Sequence, residues 1–257
     1  MIPLPKKPAV IQTGEHAAKF EIQGCYPGYG ATIGNALRRV LLSSLEGAAV
    51  QSVKITGVSH EFGPITGVVE DVVQILLNVK QLRFRLHGDE TVKISVKKKG
   101  EGVVKAGDIK VTSSVEVVNP EQHIATITDK KTEFEMELEI GKGIGYVPVE
   151  AREREEREIG VIAIDSIYTP VRRVNYEVEN MRVGKRTDYD KVAIEVVTDG
   201  SMTPETAFAK TVDILIEQFS ALHDETAIEA VSEVKEEKKV VKKKATKKAE
   251  PKEEEAA

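Results

Sequence analysis

The segment that decides the fold is residues 27–45, which read PGYGATIGNALRRVLLSSL. Its apolar residues recur at the spacing of one buried helix face, and they are Ile33, Ala36, Leu37, Val40, Leu41 and Leu45. Because turn-forming residues precede them, the pattern predicts an α-helix over Thr32–Leu45. At about 100° per residue, Arg39 projects nearly opposite the apolar face, and Arg38 lies near its edge.

The glycines of this segment admit two interpretations. Gly28, Gly30 and Gly34 follow a predicted strand and open a helix, which is the setting of a dinucleotide-binding loop. That fingerprint needs its third glycine at the position of Ile33, and no strand–helix–strand unit follows. We therefore favour glycines that form a tight turn and allow close helix packing.

Two further helices are predicted. Thr203-Pro204-Glu205 combines an N-cap residue, a proline at the first helical position and an early acid, so a helix begins there. The apolar seam of this helix is suited to packing along another helix, and it consists of Phe208, Val212, Leu215, Phe219 and Leu222. Gly67–Leu82 is apolar on more than one side, which predicts a buried helix.

Alternating patterns predict strands in most of the remaining chain. In Glu133–Ile140, four apolar side chains alternate with four glutamates, and this charge indicates an exposed edge strand. The other predicted strands are Ala17–Gln23, Val50–Ile55, Thr91–Val96, Gln122–Thr128, Val171–Glu177 and Val192–Val197.

The order of these elements predicts an α+β fold with a discontinuous domain. Strong helices lie near both chain ends and flank a strand-rich middle of about domain size. We expect residues 1–46 and 167–229 to form one domain of helices on a sheet, with residues 47–166 inserted as a strand-rich domain. The low-complexity Lys/Glu/Ala/Val segment 230–257 is predicted to be a disordered tail.

Composition restricts the class of protein. Of the 257 residues, 40% are hydrophobic and 31% charged, as in soluble globular proteins. No apolar run approaches the roughly 20 residues that span a bilayer, and the N-terminus has no secretory signal pattern, so we expect a cytosolic protein. The single cysteine, Cys25, excludes an internal disulfide and a multi-thiolate zinc site.

The charge distribution favours protein partners over nucleic acid. Residues 230–257 hold nine lysines and seven glutamates, which leaves residues 1–229 with a net charge of −7, against −5 for the whole chain. An acidic body is poorly suited to a large phosphate-binding surface. Tryptophan is absent and aromatics make up only 5%, which disfavours base-stacking platforms. The lysines of the tail would suit a nucleic-acid-tethering arm, but a solvated tail is favoured because the basic run is short and partly cancelled.

Candidate catalytic and metal-binding motifs are weak. The carboxylates of Asp188 and Asp190 could hold Mg²⁺, but a turn with local ion pairing to Arg186 explains them better. The five histidines are scattered without ligand spacing, and Cys25 has no nearby histidine, so a buried or turn-adjacent thiol is favoured. We therefore predict no catalytic site, no metal and no cofactor.

A series of motifs resembles one known family. The run from Tyr29 to Ser44 resembles the first helix of the alpha subunit of bacterial DNA-dependent RNA polymerase. The resemblance continues in family order across residues 10–229, through Gly57–Phe62, Glu70–Val72, Ile75–Asn78, Gly143–Pro148, Tyr168–Val171 and Arg186–Lys191.

The resemblance implies a non-catalytic subunit of a nucleotidyltransferase complex. Members of this family pair through their first and last helices, in a dimerisation domain made from both chain ends. The homodimer is the platform on which the beta and beta-prime subunits assemble, with omega and sigma in the complex. DNA is then bound only through the assembled enzyme, and no membrane contact is implied.

The resemblance also implies residue roles. The beta contact is centred on Arg39 and includes Arg38, His60, Glu61 and Phe62, although Arg38 could equally lie along the dimer interface. The beta-prime contact comprises Tyr168, Pro170, Val171, Arg186, Asp188 and Asp190. The dimer interface comprises Ile33, Leu37, Val40, Leu41, Phe208, Val212, Leu215, Phe219 and Leu222.

One departure from the family limits what can be transferred. Its usual members continue through a linker into a helical domain that contacts upstream promoter DNA and activators, whereas this sequence has the 28-residue charged tail. We therefore transfer no activator or upstream-DNA contact. Two hypotheses remain, a polymerase assembly scaffold and a stand-alone dimeric binding module, and the exposed position predicted for Arg39 favours the scaffold.

Overall fold

The computed structural model describes residues 2–152 and 160–222. Within them the chain forms three α-helices, α1 (Tyr29–Ser43), α2 (Val72–Val79) and α3 (Pro204–Leu222). Strands are more numerous, so the predicted α+β class is confirmed. The predicted tail at 230–257 lies outside the described residues.

All seven predicted strands are present within longer or closely matching elements. The described strands are β1 (Ala9–Gly14), β2 (Ala17–Cys25), β3 (Glu46–Ile55), β4 (Phe84–Leu86), β5 (Val92–Lys99), β6 (Gly102–Lys105), β7 (Ile109–Lys110), β8 (Val115–Val117), β9 (His123–Ile127), β10 (Glu133–Ile144), β11 (Tyr146–Val147), β12 (Val161–Ala163), β13 (Ser166–Ile167), β14 (Val171–Val183) and β15 (Arg186–Thr198).

The chain divides into two compact units, Met1–Val212 and Asp213–Ala257. The described strands and helices α1 and α2 belong to the first unit, and helix α3 begins in the first unit and ends in the second. The predicted division at residues 46 and 166 stays a prediction.

A four-stranded antiparallel sheet, in the order β1-β2-β15-β14, joins segments from both ends of the described chain. One face of this sheet is apolar, and Phe20 on it stacks against Phe208 of α3 with ring centroids 4.3 Å apart. The opposite face is charged, with Lys191 Nζ 3.2 Å from Glu21 Oε1. Alternation along the strands therefore directs apolar side chains toward the helices and ion pairs toward solvent.

Helix α1 lies on the apolar face of this sheet, with its backbone at two glycines directly against side chains of β14. A Cβ atom added at Gly30 would lie 2.9 Å from Val178 Cγ1, and one added at Gly34 would lie 2.6 Å from Tyr176 Cδ2. Side chains at these two helix positions would push the helix away from the strand. The predicted use of the glycines for close helix packing is therefore confirmed.

The helix begins three residues before the predicted Thr32, because a distant residue caps it. Gly28, at the N-cap, adopts φ 84° and has no side chain that could cap the helix. Instead, Asp190 Oδ2 on β15 accepts hydrogen bonds from the backbone N–H groups of Gly28 and Gly30 at 3.0 and 2.9 Å. A carboxylate from another element thus supplies the N-cap that the local sequence lacks.

Strand β10 is central in a seven-stranded sheet, so the predicted edge position was wrong. The sheet runs β7-β5-β10-β3-β4-β8, with β12 also pairing with β3. The glutamates of β10 have partners on both neighbouring strands, since Lys97 Nζ on β5 lies 3.1 Å from Glu133 Oε1 and Ser52 Oγ on β3 donates to Glu139 Oε2 at 2.6 Å. Cross-strand pairing, which a single-strand pattern does not reveal, explains these charges.

Helix α2 is shorter than predicted and buried on one side only. Gly67 has φ 77° and precedes a turn, and the side chain of Asp71 accepts from Gln74 N at 2.7 Å, which caps the helix. The buried side packs into the core beneath the seven-stranded sheet and consists of Val72, Ile75, Leu76 and Val79. The second apolar side, which led to the prediction of a fully buried helix, is exposed at Val73 and Leu77.

Helix α3 begins where the sequence predicts. Thr203 Oγ1 accepts from Thr206 N at 3.3 Å, and Pro204 is the first helical residue. The N-cap and the proline at the first position therefore act as expected.

We predict that Gly34→Ala destabilises the protein by about 1–3 kcal/mol, because the new methyl group would overlap the Tyr176 ring. At an exposed helix position the same change normally stabilises by up to about 1 kcal/mol. Urea unfolding followed by circular dichroism measures the difference. Asn35→Ala, at the exposed neighbouring position, is the control and should change stability by less than about 1 kcal/mol. A Gly34→Ala protein at least as stable as the wild type would contradict the close packing.

Candidate functional site

The outer face of α1 displays two arginines that differ in their surroundings. Both are exposed. Arg38 Nε donates to the Val174 carbonyl oxygen of β14 at 3.3 Å, so this side chain lies back against the sheet. Within the described residues, the guanidinium of Arg39 has no hydrogen bond or ion pair and projects outward. Arg39 is thus available to a partner, while Arg38 also helps to hold the helix.

The loop between β3 and α2 carries the other predicted beta-contact residues. His60, Glu61 and Phe62 are all exposed, and the exposed fraction of Phe62 is 80%. Glu61 and Phe62 line a shallow cavity of about 270 Å³ that also includes Leu77 of α2 and Asp165. The loop therefore presents one aromatic ring beside an apolar depression.

Among the predicted beta-prime residues, Arg186 and Asp188 are exposed at the tip of the β14–β15 hairpin. They form a bidentate pair, with Arg186 Nε and Nη2 donating to the two Asp188 carboxylate oxygens at 3.0 and 2.6 Å. Arg186 also lies over the rings of Tyr26 and Tyr189, 5.7 and 5.4 Å from their centroids. The predicted ion pair is confirmed, but it lies in strand β15, so the predicted turn there was wrong.

Asp190 belongs to the interior. Its carboxylate caps α1 and is only 7% exposed as a residue. Cys25, opposite it in the sheet register, is buried as predicted. Burial raises the pKa of the Cys25 thiol, and the negative charge of Asp190 raises it further. Asp190 Oδ2 accepts both of its hydrogen bonds from the start of α1, so this oxygen points toward α1 and not toward Asp188.

The remaining predicted beta-prime residues, Tyr168, Pro170 and Val171, are buried. The Tyr168 ring covers Gly143, where an added Cβ would lie 2.6 Å from Cε2, and its hydroxyl accepts from Gln51 Nε2 at 3.0 Å. These side chains pack within the chain and do not themselves form an outer surface.

The predicted dimer residues separate into a buried and an accessible group. Leu37, Leu41 and Phe208 are buried within the chain. Ile33, Val40, Val212 and Leu215 are half-buried. Phe219 and Leu222 are 63% and 78% exposed at the end of α3. Large apolar side chains exposed in this way are typical of protein interfaces.

Comparison with known proteins identifies the family. Residues 53–169 match the family model of the RNA polymerase Rpb3/RpoA insert domain. The DNA-directed RNA polymerase subunit alpha of Moorella thermoacetica is 49% identical over 222 residues, which cover 85% of this chain and 71% of that protein. The subunit of the same name from Symbiobacterium thermophilum is 45% identical over 240 residues, covering 91% and 76%. The chain belongs to the RNA polymerase alpha subunit family.

Some relatives in the alpha subunit family extend well beyond the matched region. The one from Alkaliphilus oremlandii is 52% identical over 202 residues, which are 79% of this chain and 63% of that protein. The chain therefore spans about two thirds of the length of the alpha subunits it matches.

The described residues of this alpha-subunit chain contain no cluster of three or more His, Cys, Asp or Glu side chains arranged to hold a metal ion. Within residues 2–152 and 160–222, no helix has the length and apolar character needed to cross a membrane.

One partly buried cluster that the sequence did not reveal supports the loop before α2. Glu70 accepts hydrogen bonds from Thr126 N at 2.7 Å and Thr126 Oγ1 at 3.0 Å, and it lies 2.7 Å from His123 Nε2. The partners of Glu70 on β9 are more than fifty residues away, so no local spacing predicts the contact. This cluster ties the loop that carries Phe62 to β9, which pairs with β6.

The protonation of Glu70 should control that tie. Burial alone would raise the pKa of Glu70, but the hydrogen bonds from Thr126 and His123 outweigh it and hold the pKa below that of an ordinary glutamate. A lowered carboxylate pKa stabilises the fold above the unfolded pKa, and this contribution is lost as the pH falls through the folded value.

We predict that Glu70→Gln lowers the free energy of unfolding by about 1–3 kcal/mol at pH 7, because it removes a charged acceptor. The difference from the wild type should persist down to the unfolded glutamate pKa of about 4.3 and then shrink as the pH falls through the lower folded pKa. Urea titrations at several pH values measure it. Glu61→Gln, at an exposed position in the same loop, is the control. A difference that stays constant from pH 5 down to the lowest pH at which both proteins are still folded would contradict the role of the charge.

Proposed function

We propose that this chain is the non-catalytic alpha subunit of a DNA-directed RNA polymerase, and that its homodimer is the platform on which the beta and beta-prime subunits assemble. The observation that carries the proposal is the outward-facing Arg39 on a helix held rigidly against a sheet by its glycine face. An exposed guanidinium on a fixed helix suits capture of carboxylates or backbone carbonyls on a partner protein. The names of the relatives support the same role.

The beta-binding surface is proposed to be the outer face of α1 together with the loop before α2. Arg39 is its centre, Arg38 is held beside it, and His60, Glu61 and Phe62 extend it. An arginine and an exposed aromatic ring are the residue types that dominate the binding energy of many interfaces.

The beta-prime surface is proposed to be the tip of the β14–β15 hairpin. Arg186 and Asp188 are its exposed members. Tyr168, Pro170 and Val171 are buried and lie at the other end of the hairpin, where Val171 pairs with Thr198, so we do not place them in the surface at the tip.

The dimer is proposed to form through α1 and α3 of two copies. The accessible apolar residues are Ile33, Val40, Val212, Leu215, Phe219 and Leu222, and Leu37, Leu41 and Phe208 form the layer beneath them. The dimerisation domain is taken to comprise residues 1–46 and 167–229, with 47–166 inserted. Omega and sigma are expected in the assembled enzyme, through which alone DNA is bound, and transcription places the complex in the cytoplasm.

We predict that Arg39→Ala abolishes retention of beta while leaving the fold and the dimer intact. An exposed arginine typically changes stability by less than about 0.5 kcal/mol, whereas an interface hot spot costs about 2 kcal/mol or more. Dimer mass, thermal melting and co-purification of co-expressed beta are measured on one preparation. Lys93→Ala, which removes an exposed cation on β5 outside the proposed surfaces, is the matched control. Loss of the dimer would make Arg39 structural, and full retention of beta would remove it from the site or favour a stand-alone binding module.

We also predict that Phe219→Ser weakens the dimer. Each chain loses burial of one large aromatic side chain, worth roughly 1.5–3 kcal/mol, and the exposed position in the single chain leaves the protomer fold unaffected. Analytical ultracentrifugation at micromolar concentration should show a larger monomer fraction. Gln218→Ser, an exposed neighbour, is the control. An unchanged dimer would show that this part of α3 is not in the interface.

A further inference from the structure

Asp190 connects the two surfaces proposed for partner binding within one chain. It lies on β15, four residues after Arg186 at the hairpin tip, and its side chain points inward to the start of α1. A single oxygen, Oδ2, accepts from both Gly28 N and Gly30 N. At 7% exposure, Asp190 has almost no surface to offer a partner directly.

The start of α1 is fixed from two directions by this residue. The helix N-terminus carries partial positive charge and free N–H groups, so a buried carboxylate binds there with charge-assisted hydrogen bonds. At the same time, a Cβ at Gly30 would lie 2.7 Å from Asp190 Cβ. The contact therefore sets both the attraction and the closest approach between helix and strand.

Successive helix turns continue this contact along β14. Gly34 meets the ring of Tyr176, and Arg38 Nε reaches the carbonyl oxygen of Val174. Helix positions four residues apart thus meet strand positions two residues apart, which matches rises of about 6.0 and 6.6 Å. Arg39 follows on the outer side, about 13 Å along the axis from Gly30. The direction in which the Arg39 side chain points therefore depends on the position of the first turn of α1 on the sheet.

We propose that Asp190 is a positioning residue for beta capture, which acts by fixing the N-terminus of α1 and so the orientation in which Arg39 is displayed. The inference rests on the proposed function, and it replaces the beta-prime contact first expected of Asp190. Loss of the cap would let the first turn of α1 unwind or tilt, and a tilt of about 10° moves Arg39 by about 2 Å.

The test compares Asp190→Ala, Asp190→Asn and the control Asp129→Asn, at an exposed position outside the proposed surfaces, in the full-length chain co-expressed with beta. Hydrogen–deuterium exchange of the peptide containing Gly28 and Gly30 reports the cap, and ultracentrifugation reports the dimer. Beta capture is measured for every variant at the same number of degrees below its own melting temperature, so that a general loss of stability is cancelled.

We expect Asp190→Ala to exchange the Gly28–Gly30 amides at least tenfold faster and to capture beta at least tenfold more weakly, with an unchanged dimer mass. Asp190→Asn keeps one acceptor oxygen and should fall between Asp190→Ala and the wild type, and it provides the test if the alanine variant does not fold. Gly30→Ala displaces the same helix end from the other side, so it should weaken capture similarly and add little to Asp190→Ala. Asp129→Asn should change neither measurement.

Faster exchange with beta capture within twofold of the wild type would overturn the proposal, as would unchanged exchange. Full recovery of capture at matched distance from the melting temperature would also overturn it, because the role of Asp190 would then be stability alone. A wild-type chain that does not capture beta would instead refute the proposed function, and the exchange data would still show whether Asp190 holds the helix.

Discussion

The contact of α1 with β14 through bare backbone is the constraint on which the rest of the first compact unit depends. At Gly30 and Gly34 a methyl group would already overlap atoms of the neighbouring strand. The helix is thereby held to the sheet at a separation that larger residues would not allow, and its rotation is set because only one face lacks side chains. The same rotation of the helix buries Leu37 and Leu41 and turns Arg39 outward.

Residues proposed to serve one surface perform different physical tasks in it. Arg39, Phe62 and Arg186 are exposed and can contact another protein. Asp190 instead holds the helix that displays Arg39, and Tyr168 packs against Gln51 and Gly143 inside the chain. At buried positions of this second kind, a fixed backbone approach or a single acceptor leaves little choice of side chain. Motif membership alone therefore does not separate contact from support.

Local patterns predicted what local interactions decide. The N-cap and proline at Thr203-Pro204, the strand periods and the packing role of the α1 glycines all follow from residues close in sequence. The features that could not be predicted depend on residues that only the fold brings together. They are the Asp190 cap that lengthens α1, the Glu70–His123 contact, and the pairing of β5 lysines with the glutamates of the central strand β10. For the candidate site, the position of Arg39 was predictable from helical spacing. The burial of Val171 was not, because strand β14 reads equally well with either face inward until α1 is placed. Tyr168 lies before β14, and its burial depends on a distant contact with Gly143 of β10.

The pairing of β2 with β15 has a consequence for synthesis of the chain. The seven-stranded sheet has all its strands once Ala163 has been added, whereas β2, which pairs with β1, must wait for its other partner, β15, which ends at Thr198. At about 5–20 residues per second, the ribosome needs roughly 2–7 s to add the intervening segment. During that interval the seven-stranded sheet can fold, while the apolar faces of β2 and α1 remain uncovered. During synthesis, premature association with other chains therefore threatens β2 and α1 most, because they are made early and are covered late.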